Sequence, residues 1–135
     1  MKELTVEKEK HKKGLSAYDR TFLYFQLIIK TSQKVIGICG FVRHYPTHFR
    51  AEFGYSLFHD DFKNLGYMSE VAPVILKYGL KNMNLKRIEA MVSPTNVASL
   101  RIIQKLGFER EGLMKKHYLR DGIFEDSVVF GLLTH

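Results

Sequence analysis

The sequence predicts an α/β (α+β) domain, a mixed and mainly antiparallel sheet flanked by helices. Three observations carry that expectation. Residues 21–29 gather aromatic and β-branched side chains into a run of strand length. Residues 50–58 alternate strictly, with Ala51, Phe53, Tyr55 and Leu57 on one face and Glu52, Gly54, Ser56 and Phe58 on the other. Residues 96–108 read as one short helix punctuated at both ends. A chain of 135 residues suits one domain, residues 1–135, that buries roughly two thirds of its unfolded surface.

Taken in order, residues 4–17 read as a short charged helix ending near Gly14. Residues 21–29 form a strand, and the turn at 30–34 leads into a second apolar strand through Val42. Residues 43–49, interrupted by Pro46, read as a loop before the third strand at 50–58. A longer helix follows over 66–82, with Val71, Val74, Ile75 and Tyr78 on one face. Pro73 lacks an amide hydrogen and crowds the preceding turn, so a kink or a late start is expected there. Residues 86–92 make the next strand.

The punctuated helix comes next. Asn96 is a good N-cap because its side-chain oxygen can accept the amide of Ser99. Leu100, Ile103 and Leu106 share one face, Gly107 suits the left-handed C′ position, and Phe108 at C″ can touch Ile103. Residues 108–118 and 124–133 close the chain as a hairpin around Arg120-Asp121-Gly122. The first three strands can meander antiparallel, whereas the strands flanking the long helix are parallel through a right-handed crossover.

Composition narrows the function classes. Hydrophobic residues at 45% and charged residues at 26% are ordinary for a globular protein, and no apolar run approaches the ~20 residues of a membrane span. The N-terminal segment has mixed charge and no apolar core, so it does not read as a signal peptide, and a cytoplasmic address follows. Cys39, the single cysteine, sits in the apolar run 35–42 and reads as a buried small hydrophobe. The net charge of +7 is spread over residues 8–13, 81–87 and 101–116, without the aromatic-basic pattern of a nucleic-acid binder. An anionic, phosphate-rich cofactor would use part of that charge.

Pro46 breaks the helix that would align His44 with His48, and His59, Asp60 and Asp61 add no recognised ligand spacing, so no metal is expected. Ser56, Ser69 and Ser127 lack nucleophile-elbow glycines.

The arrangement Asn96-x-x-Ser99, a short helix, Lys105-x-Gly107-Phe108 and Glu111-Gly112 resembles the cofactor-side helix of the GNAT acetyltransferases. It is closest to the branch that acetylates the N-terminal alanines of ribosomal proteins. The resemblance covers nearly the whole chain and implies the GNAT fold, with acetyl transfer from acetyl-CoA directly to a primary amine. Members of the family usually begin with a further strand and helix. Neither is evident in this sequence, so part of the acceptor groove is expected to be missing.

The resemblance also assigns residues. Lys63-Asn64-Leu65-Gly66-Tyr67-Met68-Ser69 matches the family's pyrophosphate loop, although Asn64, Leu65 and Met68 depart from its usual residues. Amides at a helix N-terminus and the helix dipole favour anions there. Leu57, Phe58, Asn96 and Ser99 complete the expected cofactor contacts, with Asn96 toward the pantetheine arm. Glu52 falls on the family's Ala-Glu-x-Gly-Tyr strand, where the glutamate is the candidate general base and the strand splays to admit the thioester.

The chemistry needs a base because an ammonium has no lone pair. A lysine amine is on the order of one part in a thousand neutral at pH 7, and an α-amine roughly a tenth. A glutamate acting through water is worth roughly 10²- to 10⁴-fold. The plain alternative for Glu52 is an ion pair with Arg43 or Arg50. Ser99 is the candidate donor of a proton to the departing thiolate, with Tyr118 as rival. Glu125 and Asp126 either position the amine or flank the last strand.

A protein N-terminal α-amine is the favoured acceptor, and small-molecule amines stay open. Two readings compete with the enzyme: a CoA-binding module of the same fold without turnover, and a basic nucleic-acid-binding domain. A homodimer is expected, burying either the edge of the strand at 21–29, near Phe22, Tyr24 and Phe25, or the C-terminal hairpin.

Overall fold

The computed structural model describes residues 2–10 and 21–134. Among the described residues, seven strands and two α-helices follow one another as β1 (Lys2–Lys10), β2 (Thr21–Ile29), β3 (Lys34–Tyr45), β4 (Arg50–Leu57), α1 (Tyr67–Asn82), β5 (Arg87–Val92), α2 (Val97–Lys105), β6 (Glu109–Arg120) and β7 (Ile123–Leu133). They build one sheet in the order β1-β2-β3-β4-β5-β7-β6. Every neighbouring pair is antiparallel except β4 and β5, which are parallel and connected through α1. The mixed, mainly antiparallel sheet expected from the sequence is therefore present.

The helix expected at residues 4–17 is corrected by β1, which pairs with β2 from Lys2↔Ile29 to Lys10↔Thr21. Leu4 and Val6 recur at a spacing of two, Thr5 and Val6 are β-branched, and an apolar neighbour strand offers a ladder. Sheet pairing outweighs the weak helical preference of the charged residues. The rest of that expectation, residues 11–17, lies outside the described residues. Because β1 covers the edge of β2, the unpaired edge invoked for a dimer at residues 21–29 does not exist, and Phe25 is buried. A strand also stands ahead of β2, where the sequence reading had none.

Smaller corrections have local causes. Residues 43–45 continue β3 by pairing with β4, so the loop shrinks to a 3-10 turn at Pro46–His48 closed by Phe49. Helix α1 starts at Tyr67, ahead of Pro73, rather than late. Its buried stripe is Met68, Val71, Ala72, Ile75, Leu76 and Gly79, at spacings of three and four, and Val74 falls off it into solvent. Tyr78 meets Phe25 edge-on at 5.5 Å.

Helix α2 follows its sequence closely. The amide of Phe108 reaches the Ile103 carbonyl at 3.3 Å and that of Gly107 reaches Gln104 at 3.1 Å. That is the paired closure of a Schellman motif, and Gly107 takes the positive φ of +94° that it requires.

Both helices contribute to one core. Ile75 of α1 and Ile103 of α2 join Phe41, Ala51, Phe53, Ile88 and Phe130 of the sheet in it, and Phe53 stacks on Phe108 at 6.3 Å. Cys39 is fully buried there, and burial pushes its thiol far above its ordinary range, so it behaves as a hydrophobe. No helix among the described residues is long and apolar enough to cross a membrane.

Candidate functional site

Strands β4 and β5 pair over only three positions, Arg50↔Arg87, Ala51↔Ile88 and Glu52↔Glu89. Beyond them β4 runs on to Leu57 and β5 to Val92 without pairing to each other. The sheet therefore opens at its middle, on the side where α1 and α2 begin. Two cavities use the opening. The larger, about 1160 Å³, is lined by the end of β4, the segment before α1, the first turn of α1 and the exposed side of α2. The smaller, about 470 Å³, is lined by Tyr24, Ile38 and Val42, by Glu52, and by the hairpin residues Tyr118 and Glu125. Tyr55, Ser56, Asn96, Ser99 and Arg120 border both, so the cavities meet there.

The segment before α1 brings most of its expected residues to the larger cavity. Lys63, Asn64, Gly66, Tyr67, Met68 and Ser69 all line it. A helix leaves its first amides without intrahelical partners, and here the N-cap is Gly66, which has no side chain to take one. Gly66 holds φ +78°, a left-handed conformation that glycine reaches without strain. The result is a turn of amides at a helix N-terminus with the dipole behind it, a setting that favours a phosphate. Lys63 is shared, because its ammonium sits 2.8 Å from Asp60 and holds that carboxyl below its usual range. Leu57 lines the cavity, whereas the exposed side chains of Leu65 and Phe58 are not brought to it, and the Phe58 amide is spent on the Ile36 carbonyl.

Asn96 caps α2 as its sequence predicts, accepting the Ser99 amide at 3.1 Å through its side-chain oxygen. Its side-chain nitrogen is the group left over at the meeting of the cavities. Ser99 borders both cavities, and its hydroxyl accepts a hydrogen bond from the Tyr55 phenol at 2.7 Å. Burial pushes that phenol up, and the bond to Ser99 only partly opposes it. Tyr118 lines the smaller cavity alone, with its ring edge-on to His117 at 4.7 Å.

Glu52 also lines the smaller cavity, and Arg43 of the neighbouring strand donates to its Oε1 at 2.8 Å. The ion pair that sequence offered as the plain alternative is thus present, and Oε2 lies outside it. The acidic pair near the C-terminus divides. Glu125 faces the smaller cavity, 3.3 Å from Arg120, while Asp126 accepts the Lys116 amide at a bulge of β6.

Sequence reasoning missed Tyr55, to which it gave a strand face and no role, and Arg101, Gln104 and Lys105, which line the larger cavity from α2. Signals existed for each. A phenol at the open end of a core face needs a polar partner. Arg101 and Lys105 are four apart, on the polar side of a helix whose cap was already assigned to the cofactor.

Comparison with known proteins identifies the family and the fold. The profile of the acetyltransferase (GNAT) domain matches residues 5–109. The chain is 37% identical to the uncharacterized N-acetyltransferase p20 of Bacillus licheniformis over 109 residues, which is 81% of this chain and 61% of that protein. It is 32% identical to the ribosomal protein uS5-alanine N-acetyltransferase of Escherichia coli (strain K12) over 127 residues, 93% of this chain and 62% of that one. Among solved structures, the ribosomal-protein-S5-alanine acetyltransferase of Vibrio fischeri superposes with a TM-score of 0.76 at 29% identity, covering 83% of this chain and 61% of that one. The chain spans about three fifths of the length of these relatives.

Proposed function

From the premise that this chain belongs to the GNAT acetyltransferase family, we propose that it is an N-acetyltransferase moving an acetyl group from acetyl-CoA directly to a primary amine. One observation carries the reading: two cavities of different character meet at Ser99, where β4 and β5 part. The larger has the uncapped first turn of α1 and the cations Arg101 and Lys105, which suit the phosphates and pantetheine of CoA. The smaller has two carboxylates, Glu52 and Glu125, with Arg120 beside them and apolar side chains such as Ile38, Val42 and Met91, which suit an amine and its carbon neighbours.

In this reading Glu52 takes protons from the acceptor nitrogen through water. Arg43 holds one of its oxygens and so fixes the direction of the other. Asn96 and the first turn of α1 hold the donor in place. As the carbon–sulfur bond breaks and its electron pair goes to sulfur, Ser99 donates a proton there and recovers one from solvent. Ser99 is favoured over Tyr118 as donor because it borders both cavities and Tyr118 only one.

The favoured acceptor is a protein N-terminal α-amine, the kind of substrate named for the uS5-alanine N-acetyltransferase of Escherichia coli. An α-amine is closer to neutral than a lysine amine and asks less of the base. The reading places the protein in the cytoplasm and as a homodimer. With the β2 edge covered, the C-terminal hairpin is the remaining surface. β6 ends the sheet, and Leu119, Ile123 and Phe124 are exposed around its turn. The reading predicts a light-scattering mass near two chains of 15.7 kDa, lowered to one by Phe124→Ser; a wild-type mass of one chain would contradict it.

The alternative is a module that binds CoA without turnover, favoured by the Arg43–Glu52 pair, which a purely structural glutamate would also make. A thermal-shift titration with CoA and acetyl-CoA, followed by thiol-release assays on peptides with free N-termini, separates the two. Saturation at a hundred times Kd raises the melting temperature by on the order of 10 °C. Stabilisation with thiol release supports the enzyme, stabilisation alone supports the module, and no response to either ligand removes both.

A further inference from the structure

The Tyr55–Ser99 hydrogen bond joins the sheet to the helix at the point where both cavities meet, and the reaction sketched above does not use Tyr55. We propose that Tyr55 is a positioning residue that acts through Ser99, holding the serine hydroxyl so that its hydrogen is offered to the sulfur of the bound thioester or thiol. The inference rests on the assignment of the larger cavity to CoA.

A serine hydroxyl has one hydrogen and rotates freely, so on an exposed first turn it would donate to whatever is nearest. Here its oxygen accepts from the Tyr55 phenol at 2.7 Å. That places the serine hydrogen elsewhere, away from Tyr55. Accepting a hydrogen bond also draws density from the serine oxygen and makes its own O–H a better donor, the cooperativity of linked hydrogen bonds. The phenol itself keeps its proton. Its burial disfavours the phenolate, so it stays a neutral donor over the working pH range.

Tyr55 is held through its backbone and through its ring. Its backbone pairs with Cys39 of β3, and its ring lies 5.8 Å from that of Phe53. Ser99 is held by the Asn96 cap. Two rigid elements thus define one hydroxyl direction. The proton count is unchanged by this role. The acceptor nitrogen loses two protons by way of Glu52 and water, sulfur gains one from Ser99, Ser99 regains one from solvent, and Tyr55 neither gains nor loses any.

The test uses the full chain with Tyr55→Phe, Ser99→Ala and the double variant, each checked by thermal melting. Two measurements are read. The first is the ultraviolet titration of the CoA thiol bound to the protein. A donor aimed at sulfur lets the bound thiol ionise at lower pH than free CoA. Tyr55→Phe moves that titration toward free CoA in wild type and leaves it unmoved in the Ser99→Ala background. The second is turnover. Tyr55→Phe lowers kcat by about tenfold, the scale of one hydrogen bond, with KM for acetyl-CoA within about twofold, and the double variant is no slower than Ser99→Ala.

Losses that multiply in the double variant overturn the proposal, since Tyr55 would then act without Ser99. So does a bound-thiol titration that Tyr55→Phe does not move. If the titration shifts as described while no amine is acetylated, Tyr55 keeps this role and the enzyme reading alone fails.

Discussion

Glu52 and Glu89 are the last residues paired between β4 and β5. One residue further the parallel ladder has ended, although both strands continue and stay paired on their outer sides to β3 and β7. The inner backbone groups of residues 53–57 and 90–92 therefore have no partner strand between them. Polar backbone groups next to a cleft need water or a ligand. The amides of a pantetheine arm would serve as the missing neighbour. Hydrogen exchange tests this directly: saturating CoA slows exchange in peptides covering residues 53–57, with no comparable change in β2 or β7. Unchanged exchange at 53–57 in the presence of bound CoA would place the ligand elsewhere.

The cations on α2 give a second prediction. Arg101 and Lys105 line the larger cavity from one side of the helix and are exposed there. Exposed charges act over a Debye length of roughly 10 Å at 0.1 M salt, so their share of CoA binding is sensitive to ionic strength. The double variant Arg101→Ala/Lys105→Ala raises KM for acetyl-CoA several-fold, by about 1 kcal/mol at low salt, and leaves kcat near wild type. That is the pattern of lost uniform binding. Steady-state rates at two salt concentrations check it, and the deficit shrinks at the higher one.

Stability carries its own pH signature. Arg87 of β5 grips Glu111 of β6 with two hydrogen bonds, at 2.8 and 2.6 Å, reaching across β7 over Gly131. The hydrogen bond from Arg87 holds the Glu111 carboxyl below its usual range. A depressed carboxyl adds stability above its unfolded pKa and loses it as pH falls through the folded one. The pair is partly exposed and screened by solvent, so its worth stays below about 1 kcal/mol. Thermal melts of wild type and Glu111→Gln therefore differ most near neutral pH and converge in acid, once pH falls below the ordinary glutamate range.

Sheet, helices and the Asn96–Ser99 cap were legible because each rests on local rules. Strand alternation at 50–58 and the caps of α2 need no knowledge of distant residues. β1 was not legible, because its state depends on the ladder that β2 supplies from eleven or more residues away. The extension of β3 through Tyr45 was hidden for the same reason, being decided by partners on β4. At the candidate site, alternation set the face of Glu52 and spacing set Ser99 at the third position of its helix, while the roles of both came from the resemblance alone. Tyr55 was lost because alternation assigns a face and says nothing of where that face ends. The division of Glu125 from Asp126 turns on a bulge in β6, which a two-residue period cannot foresee.

Central to the account is Glu52 as the base that turns a CoA-binding fold into an acetyltransferase. The most direct measurement is acetyl-CoA-dependent thiol release on peptides with a free α-amine, by wild type and by Glu52→Gln, alongside CoA affinity for both. The account predicts thiol release by wild type that an N-acetylated peptide abolishes. It predicts a fall in kcat of roughly 10²- to 10⁴-fold for Glu52→Gln, with CoA affinity unchanged. Wild-type protein that binds acetyl-CoA and acetylates no amine, or a Glu52→Gln variant that turns over at the wild-type rate, would contradict it.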